Sequence, residues 1–401
     1  MVSIYERRLS GLIKASGQPH NRSRLLNMFL FNLYMMQENF TPANADEPTD
    51  VHSWLDKTNY TEIEKQHLLD ELENSPTLKP KHLKCKCFIK QENYPTYKAY
   101  RPIKSRTDRF KVEVGPLFQI VNEVLFSHSE FIKKIPIDQR PDYISQKLGF
   151  ANVFSCTDYS KYESHFTELI MKTIEIPFYA YCLQRIPQSD SFIRLITRAM
   201  TGQQTFVFKY FTSTMKATRA SGEMCTSSGN GYTNFFMFHY ISTCKGSKIA
   251  TGVFEGDDGL TSCLPETSMP TTQDYEDLGF NCKMINTRHL SQASFCGLIF
   301  DPDDKINVCD IRGAVASLGW TSGPYIHSNN LTKLALLRAK GFSMVYQYKG
   351  CPILDSIGHC ILRNTDQHTL DTRLSKIIAN TDTYKRDILL QAMKNKRPMR
   401  T

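Results

Sequence analysis

Helices interleaved with short strands and one tight hairpin predict an α+β fold, on three observations. Apolar stretches with helical spacing occupy both ends of the 401-residue chain. Between them lie short β-type runs, the clearest of which flank the turn Gly256-Asp257-Asp258-Gly259. No Pro- or Ser-rich linker divides the chain, so its subdomains are expected to pack intimately.

Taken in order, residues 23–37 read as the first helix. Its apolar segment Leu25–Met36 contains Asn27 and Asn32 and falls well short of the roughly 20 apolar residues a membrane span needs. A buried or partner-facing helix is expected there, and no signal peptide precedes it. Thr61 followed by Glu64 is a capping-box pattern that opens a helix over 61–74. Gly115-Pro116 is expected to open an apolar helix over 115–135. A short buried strand follows at 151–157, then a helix at 164–184, another at 193–200, and a strand-like run at 204–211. The Gly/Ser-rich stretch 221–231 reads as a turn before an apolar helix over 232–243. Residues 249–263 form a hairpin whose first strand ends at Glu255 and whose return begins at Leu260. The last hundred residues are mostly helical in pattern.

Composition removes several classes. With 41% hydrophobic, 11% aromatic and 22% charged residues, the chain is no disordered polyelectrolyte. Neither a Gly/Pro period nor a longer repeat is visible, so collagen-like and solenoid folds are excluded. The 12 Cys include no CxxC pair, and Cys85-x-Cys87 beside His82 has poor zinc spacing, so reduced, buried thiols are expected. Charge is segregated. Residues 38–73 hold ten acids against two Lys, whereas 79–111 hold eleven Lys and Arg against Glu92 and Asp108. That second window alone carries the +9 of the whole chain. Its cations alternate with Phe88, Tyr94, Tyr97, Tyr100 and Phe110, which suits a polyphosphate or nucleic acid better than bulk water.

Chemistry-bearing residues concentrate in four places. Adjacent carboxylates at Asp257 and Asp258 repel unless a cation is held, although a paired Asp is also an ordinary surface turn. Asp158 directly follows the strand at 151–157, with Glu163 five residues on, a second oxygen donor set or simply a helix cap. The run from Ser221 and Gly222 through Thr226 to Asn230 offers hydroxyl and amide groups on a small-residue loop, or only flexibility. The basic block contributes Lys90, Arg101 and Arg106.

In this order, the four resemble the motifs of RNA-dependent RNA polymerases of positive-strand RNA viruses, most of all the tombusvirus/carmovirus-like group. Phe88-Ile89-Lys90-Gln91-Glu92 with Arg101 and Arg106 is similar to the fingertip motif, and Asp158-x4-Glu163 to the first palm motif. Ser221-Gly222-x3-Thr226-x3-Asn230 is similar to the second, and Gly256-Asp257-Asp258 to the third. Leu278-Gly279-Phe280-Asn281-Cys282-Lys283 resembles the fourth, and Phe295-Cys296-Gly297 the primer-grip turn. The resemblance covers roughly 85–300. One departure stands out: Glu163 replaces the family's usual Asp.

The resemblance implies a right-hand architecture with an antiparallel palm sheet backed by helices. It places an N-terminal extension and fingers in 1–150, palm in 151–184 and 216–305, a fingers insertion in 185–215 and a thumb in 306–401. It implies Mg²⁺, for which Mn²⁺ can substitute, held by Asp158, Asp257 and Asp258. It also assigns the triphosphate to Lys90, Arg101 and Arg106, and protonation of pyrophosphate to Lys283. The ribose 2′-hydroxyl falls to Asn230 with Ser221, Gly222, Thr226 or Glu163. The implied partners are template and nascent RNA, NTPs, other viral replication proteins and, through them, host membranes, with no DNA. The implied location is host cytoplasm at membrane-associated replication complexes. Two other readings remain: a reverse transcriptase, and a non-catalytic RNA-binding protein with a decayed polymerase palm.

Overall fold

The computed structural model describes residues 19–90, 101–321, 325–366 and 368–378, together with 389, 390 and 393. Helix α1 (Pro19–Asn39) is longer than the apolar pattern predicts and buries Met28, Phe29, Met35 and Met36. Its Asn32 is spent inside the fold. Its amide donates to the carbonyls of Thr173 and Ile174 at 3.0 and 2.9 Å, and its oxygen accepts from Tyr232 at 2.6 Å. Those carbonyls belong to a π-turn, Met171–Glu175, where side-chain partners take up backbone groups the turn leaves over. Among the described residues no helix is long and apolar enough to cross a membrane.

Helix α2 (Val51–Asp56) is capped by Asp50, and α3 (Glu62–Asn74) carries the reciprocal Thr61/Glu64 capping box that its sequence predicts. Helix α4 (Asp108–Leu125) corrects an expectation, because it starts at a Thr107 cap and Gly115-Pro116 lie inside it. Glycine is required at 115 because the Trp54 indole of α2 lies 2.4 Å from where a β-carbon would stand. Packing against α2 offsets the hydrogen bond that Pro116 removes. After α5 (Arg140–Leu148) comes β3 (Phe154–Tyr159), which places Asp158 inside the strand rather than after it. The helix expected over 164–184 is broken, with the π-turn leading into α6 (Ile176–Cys182). Then follow α7 (Ser189–Thr201), α8 (Thr226–Cys244) and, on either side of the Gly256-Asp257 turn, β6 (Ile249–Glu255) and β7 (Asp258–Leu264).

Two four-stranded sheets organise the rest. The central one has order β6-β7-β3-β8, fully antiparallel, with β8 at Cys282–Thr287 after the short helix α9 (Thr272–Asp277). Its strands alternate between two cores. Phe254, Cys263 and Cys282 face the aromatic cluster around α1, α4, α6 and α8, while Phe154, Cys156, Val253 and Leu260 face the C-terminal helices. Those helices include α11 (Asn330–Gln347), α12 (Leu354–Asn364) and α13 (His368–Ile378), reached through α10 (Ile311–Ala316). The second sheet, β2-β1-β4-β5, joins β1 (Cys85–Ile89) and β2 (Pro102–Arg106) to β4 (Gln203–Val207) and β5 (Thr212–Lys216). The run expected as one strand over 204–211 is therefore a strand and the turn of a second hairpin. A small sheet of β9 (Ser294–Phe295), β10 (Leu298–Asp301) and β11 (Ile306–Val308) completes the described fold.

Candidate active site

Strand register assembles the site. Glu255 pairs with Asp258 across the β6–β7 hairpin, and Asp158 pairs with Lys283 across β3 and β8. Continuing the Thr157–Gly259 pairing of β3 with β7 by one residue sets Asp158 beside Asp258. Cross-strand partners share a face, so Glu255, Asp258, Asp158 and Lys283 form one row across all four strands. Like charges directly opposite one another are destabilising, and this row places three carboxylates side by side. Burial, then Asp257, Glu255 and Asp158, push the Asp258 carboxyl up to about 6 against a lowering contact from Cys296.

Asp257 occupies the tip. The turn is tighter than the sequence predicts: only Gly256 and Asp257 lie between the strands, and the return strand begins at Asp258. Gly256 takes φ +64°, the left-handed region that such two-residue turns demand. Asp257 is accessible yet poorly hydrated between the surrounding walls, which raises its pKa; Glu163 and Asp158 push the same way and Arg101 pulls it down. Asp158, Asp258, Glu163 and Arg101 are thus all within electrostatic reach of Asp257, although they come from three separate stretches of the chain.

Asn234 of α8, which none of the sequence motifs singles out, holds this tip. Its amide donates to the Asp257 carbonyl at 3.0 Å, and its oxygen accepts from the Tyr159 hydroxyl at 2.9 Å. Its one signal in the sequence is an Asn one helical turn beyond Asn230 in an otherwise apolar helix. On the opposite side, Arg140 Nη1 binds Glu255 Oε2 at 2.8 Å, and Lys133 Nζ donates to Ser227 Oγ at 2.8 Å.

The 221–231 stretch differs from expectation, because Thr226 to Asn230 form the first turn of α8 rather than a loop. Ser221 and Gly222 are stitched to β2. The Ser221 hydroxyl accepts from Lys104 N at 3.1 Å and donates to Pro102 O at 3.3 Å, and Gly222 N donates to Lys104 O at 2.9 Å. Thr226 Oγ1 donates to Ala220 O at 3.1 Å. Asn230 is buried, its carbonyl accepts from the Tyr162 hydroxyl at 3.2 Å, and its side-chain oxygen has no hydrogen-bond partner among the described residues.

In the basic block, Lys90 N donates to Arg101 O at 2.9 Å, so these two cations sit across one ladder step. Gln91, Glu92, Tyr94, Tyr97 and Tyr100 lie outside the described residues. Arg106 requires a correction. It is buried, pairs with Glu223 at 2.6 Å, and donates to Ala199 O and Gln204 Oε1, each at 2.9 Å. That guanidinium is committed to holding β2 against β4 and the 221–226 segment, not to an open anion site.

The donor set Asp158, Asp257 and Asp258 fits a hard divalent cation in kind: all oxygen, mutually repelling, and short of hydration. Among the described residues, however, no three His, Cys, Asp or Glu side chains are drawn together into a metal-ligand group. Repulsion has a measurable sign. A carboxyl with a raised folded pKa costs nothing below about pH 4, where both states hold its proton, and its penalty is complete above about pH 6. In chelator-treated protein, Asp258→Asn should therefore be more stable than the parent at pH 7 by about 2 kcal/mol, with the gain vanishing near pH 4. Thermal melts across that range test it, and a gain independent of pH refutes it.

No protein-family model and no curated protein matches the chain. Solved structures do. The crystal structure of the RNA-dependent RNA polymerase of a human picobirnavirus matches with a TM-score of 0.57 and 12% identity, over 78% of this chain and 66% of that one. The insertion loop deletion mutant of the same polymerase matches with a TM-score of 0.58 and 14% identity, over 78% of this chain and 64% of that one. The chain thus spans a little under two thirds of the length of either. This likeness favours no tombusvirus/carmovirus-like group. What it establishes, at such low identity, is that the chain has the fold of a viral RNA-dependent RNA polymerase.

Proposed function

We propose that the chain is a viral RNA-dependent RNA polymerase that adds NTPs to an RNA 3′ end on an RNA template, replicating a positive-strand genome. The observation that carries this reading is the row Glu255, Asp258, Asp158 and Lys283 across the central sheet, with Asp257 at its tip, in a chain with that fold. On this reading the central sheet is the palm, the basic sheet belongs to the fingers, and the C-terminal helices are the thumb.

Asp158, Asp257 and Asp258 hold Mg²⁺, or Mn²⁺ in its place. When bound, such ions lower the pKa of the attacking 3′-hydroxyl and neutralise charge on the triphosphate. Lys90 and Arg101 orient the triphosphate, while Arg106 supports the strand they stand on. Lys283, exposed beside Asp158, holds a proton for the departing pyrophosphate. Template bases select the NTP by pairing, so the protein recognises RNA by shape and charge. The family resemblance adds a setting: host cytoplasm, at membrane-associated complexes with other replication proteins.

Sugar choice falls to Asn230, whose unpartnered oxygen lies in the first turn of α8, with Glu163 close to Asp257. A site that hydrogen-bonds a hydroxyl rejects the analogue lacking it, because polar groups are then left unpaired. The test is incubation with RNA template, Mg²⁺ and labelled NTPs or dNTPs. Incorporation of NTPs alone is the expected result. Incorporation of dNTPs would make the chain a reverse transcriptase, and RNA binding without synthesis a non-catalytic protein. Asn230→Asp should lower the preference for NTP over dNTP by at least about tenfold. If that variant excludes dNTP as well as the parent does, Asn230 is structural.

A further inference from the structure

The β4–β5 hairpin ends in Phe208-Lys209-Tyr210-Phe211; Phe208 packs against the small core of Cys85, Phe206 and Ala220, whereas the rings of Tyr210 and Phe211 stand out at the tip. Tyr210 is 85% exposed and Phe211 60%. They are nevertheless ordered. Phe208 N donates to Phe211 O at 2.9 Å, the two Phe rings stack at 4.4 Å and 12°, and Lys209 Nζ stands 5.0 Å from the centre of the Tyr210 ring. The sheet adds a separate exposed strip beside the tip, on the face opposite to Phe208 and Phe211. Val207 pairs with both Lys86 and Thr212, so these share one outward face, and Phe88 lies two residues along β1 on that face at 56% exposure.

Charge identifies the occupant. Residues 84–90, 101–106 and 203–216 contain eight Lys and Arg and no Asp or Glu. Glu168 neutralises Lys216, Glu223 neutralises Arg106 and Arg101 acts on Asp257, which leaves Lys209 beside Tyr210 at the tip and Lys86 two residues from Phe88 as the cations next to the exposed rings. Flat apolar faces with cations beside them suit a ligand that is planar, π-rich and anionic along its length. We infer that the hairpin tip Lys209-Tyr210-Phe211 is a stacking platform for single-stranded RNA outside the catalytic row, beside the outward strip of Lys86 and Phe88. The inference rests on the proposed polymerase function and adds a place where the strand is held. Base-on-aromatic stacking is tolerant of sequence, as a template-reading enzyme requires.

The test uses the full chain and a fluorescein-labelled, unstructured single-stranded RNA of about 16 nucleotides, followed by anisotropy. Tyr210→Ala with Phe211→Ala should weaken binding by about tenfold or more, and Tyr210→Ala alone, which leaves the Phe208–Phe211 stack intact, should weaken it in the same direction without altering the melting temperature. Tyr210→Trp in the otherwise unchanged chain should keep full affinity. The double variant should leave the salt dependence of binding unaltered, since stacking neutralises no phosphate, while Lys209→Ala should reduce the slope by about one. RNA affinity within about twofold of the parent in the double variant overturns the inference. Vesicles of phosphatidylserine and phosphatidylcholine are the second probe: retained RNA binding with lost vesicle binding makes the tip a membrane contact instead. Primer extension by the parent is scored separately, so an unaffected variant of an active parent sinks the platform and leaves the polymerase reading intact.

Discussion

Asp257→Asn should reduce RNA synthesis by several orders of magnitude while leaving RNA affinity nearly unchanged. The substitution keeps the side chain's volume and removes one charge at the tip of the β6–β7 turn. The tip itself should persist, because Asn234 holds the Asp257 carbonyl rather than its carboxylate. Folding should even gain slightly, since burial and the charges of Glu163 and Asp158 already oppose ionisation of this carboxyl. What is lost is a charged oxygen donor, and metal ions supply several kcal/mol of transition-state stabilisation in phosphoryl transfer. Single-turnover extension of a primed template measures it. Activity within about fivefold of the parent would remove Asp257 from the chemistry.

The second large effect concerns stability. Glu175 in the π-turn and Arg219 are both wholly buried and form an ion pair beneath the first turn of α8. Thr233 Oγ1 and the Tyr179 hydroxyl donate to the same carboxylate at 3.0 and 3.3 Å, and the guanidinium lies 4.5 Å from the Phe166 ring centre. Gly229 allows this approach: a β-carbon there would stand 2.5 Å from the Tyr179 hydroxyl and 2.8 Å from Arg219 Nη1. Glu175→Gln leaves Arg219 buried without its counter-charge, and breaking such a pair costs about 3–5 kcal/mol. Removing both charges, as Glu175→Leu with Arg219→Met, should cost less than the two single changes added together, because no orphaned charge remains. Urea unfolding reads both quantities. A loss below about 1 kcal/mol for Glu175→Gln would show that water or a neighbour replaces the partner.

Features that depend on neighbours along the chain are legible in the sequence. The Thr61/Glu64 box, the β6–β7 hairpin with its paired acids, and the segregation of charge into 38–73 and 79–111 are local patterns. So is the shortness of the apolar run in α1, which does not reveal that Asn32 within it binds the π-turn carbonyls. Boundaries shift where tertiary contacts outweigh propensity. Pro116 sits inside α4 because Trp54 packs on Gly115, and Thr226 to Asn230 are helical despite a loop-like composition because α8 is buried along most of its length.

By itself, then, the sequence determined which residue types are available and in what order: Asp158, the Asp257-Asp258 pair, Asn230, Lys283 and the basic block. Only tertiary structure decided which of them meet. Asp158 comes to stand between Asp258 and Lys283 through the register of strands about a hundred residues apart, and a slip of one residue would turn each side chain to the other face. The commitment of Arg106 to Glu223 and the grip of Asn234 on the Asp257 turn follow from the same cause. Periodicity along a chain records how each segment divides between core and solvent. It carries no record of which segment lies opposite, because that is settled by packing among all of them at once.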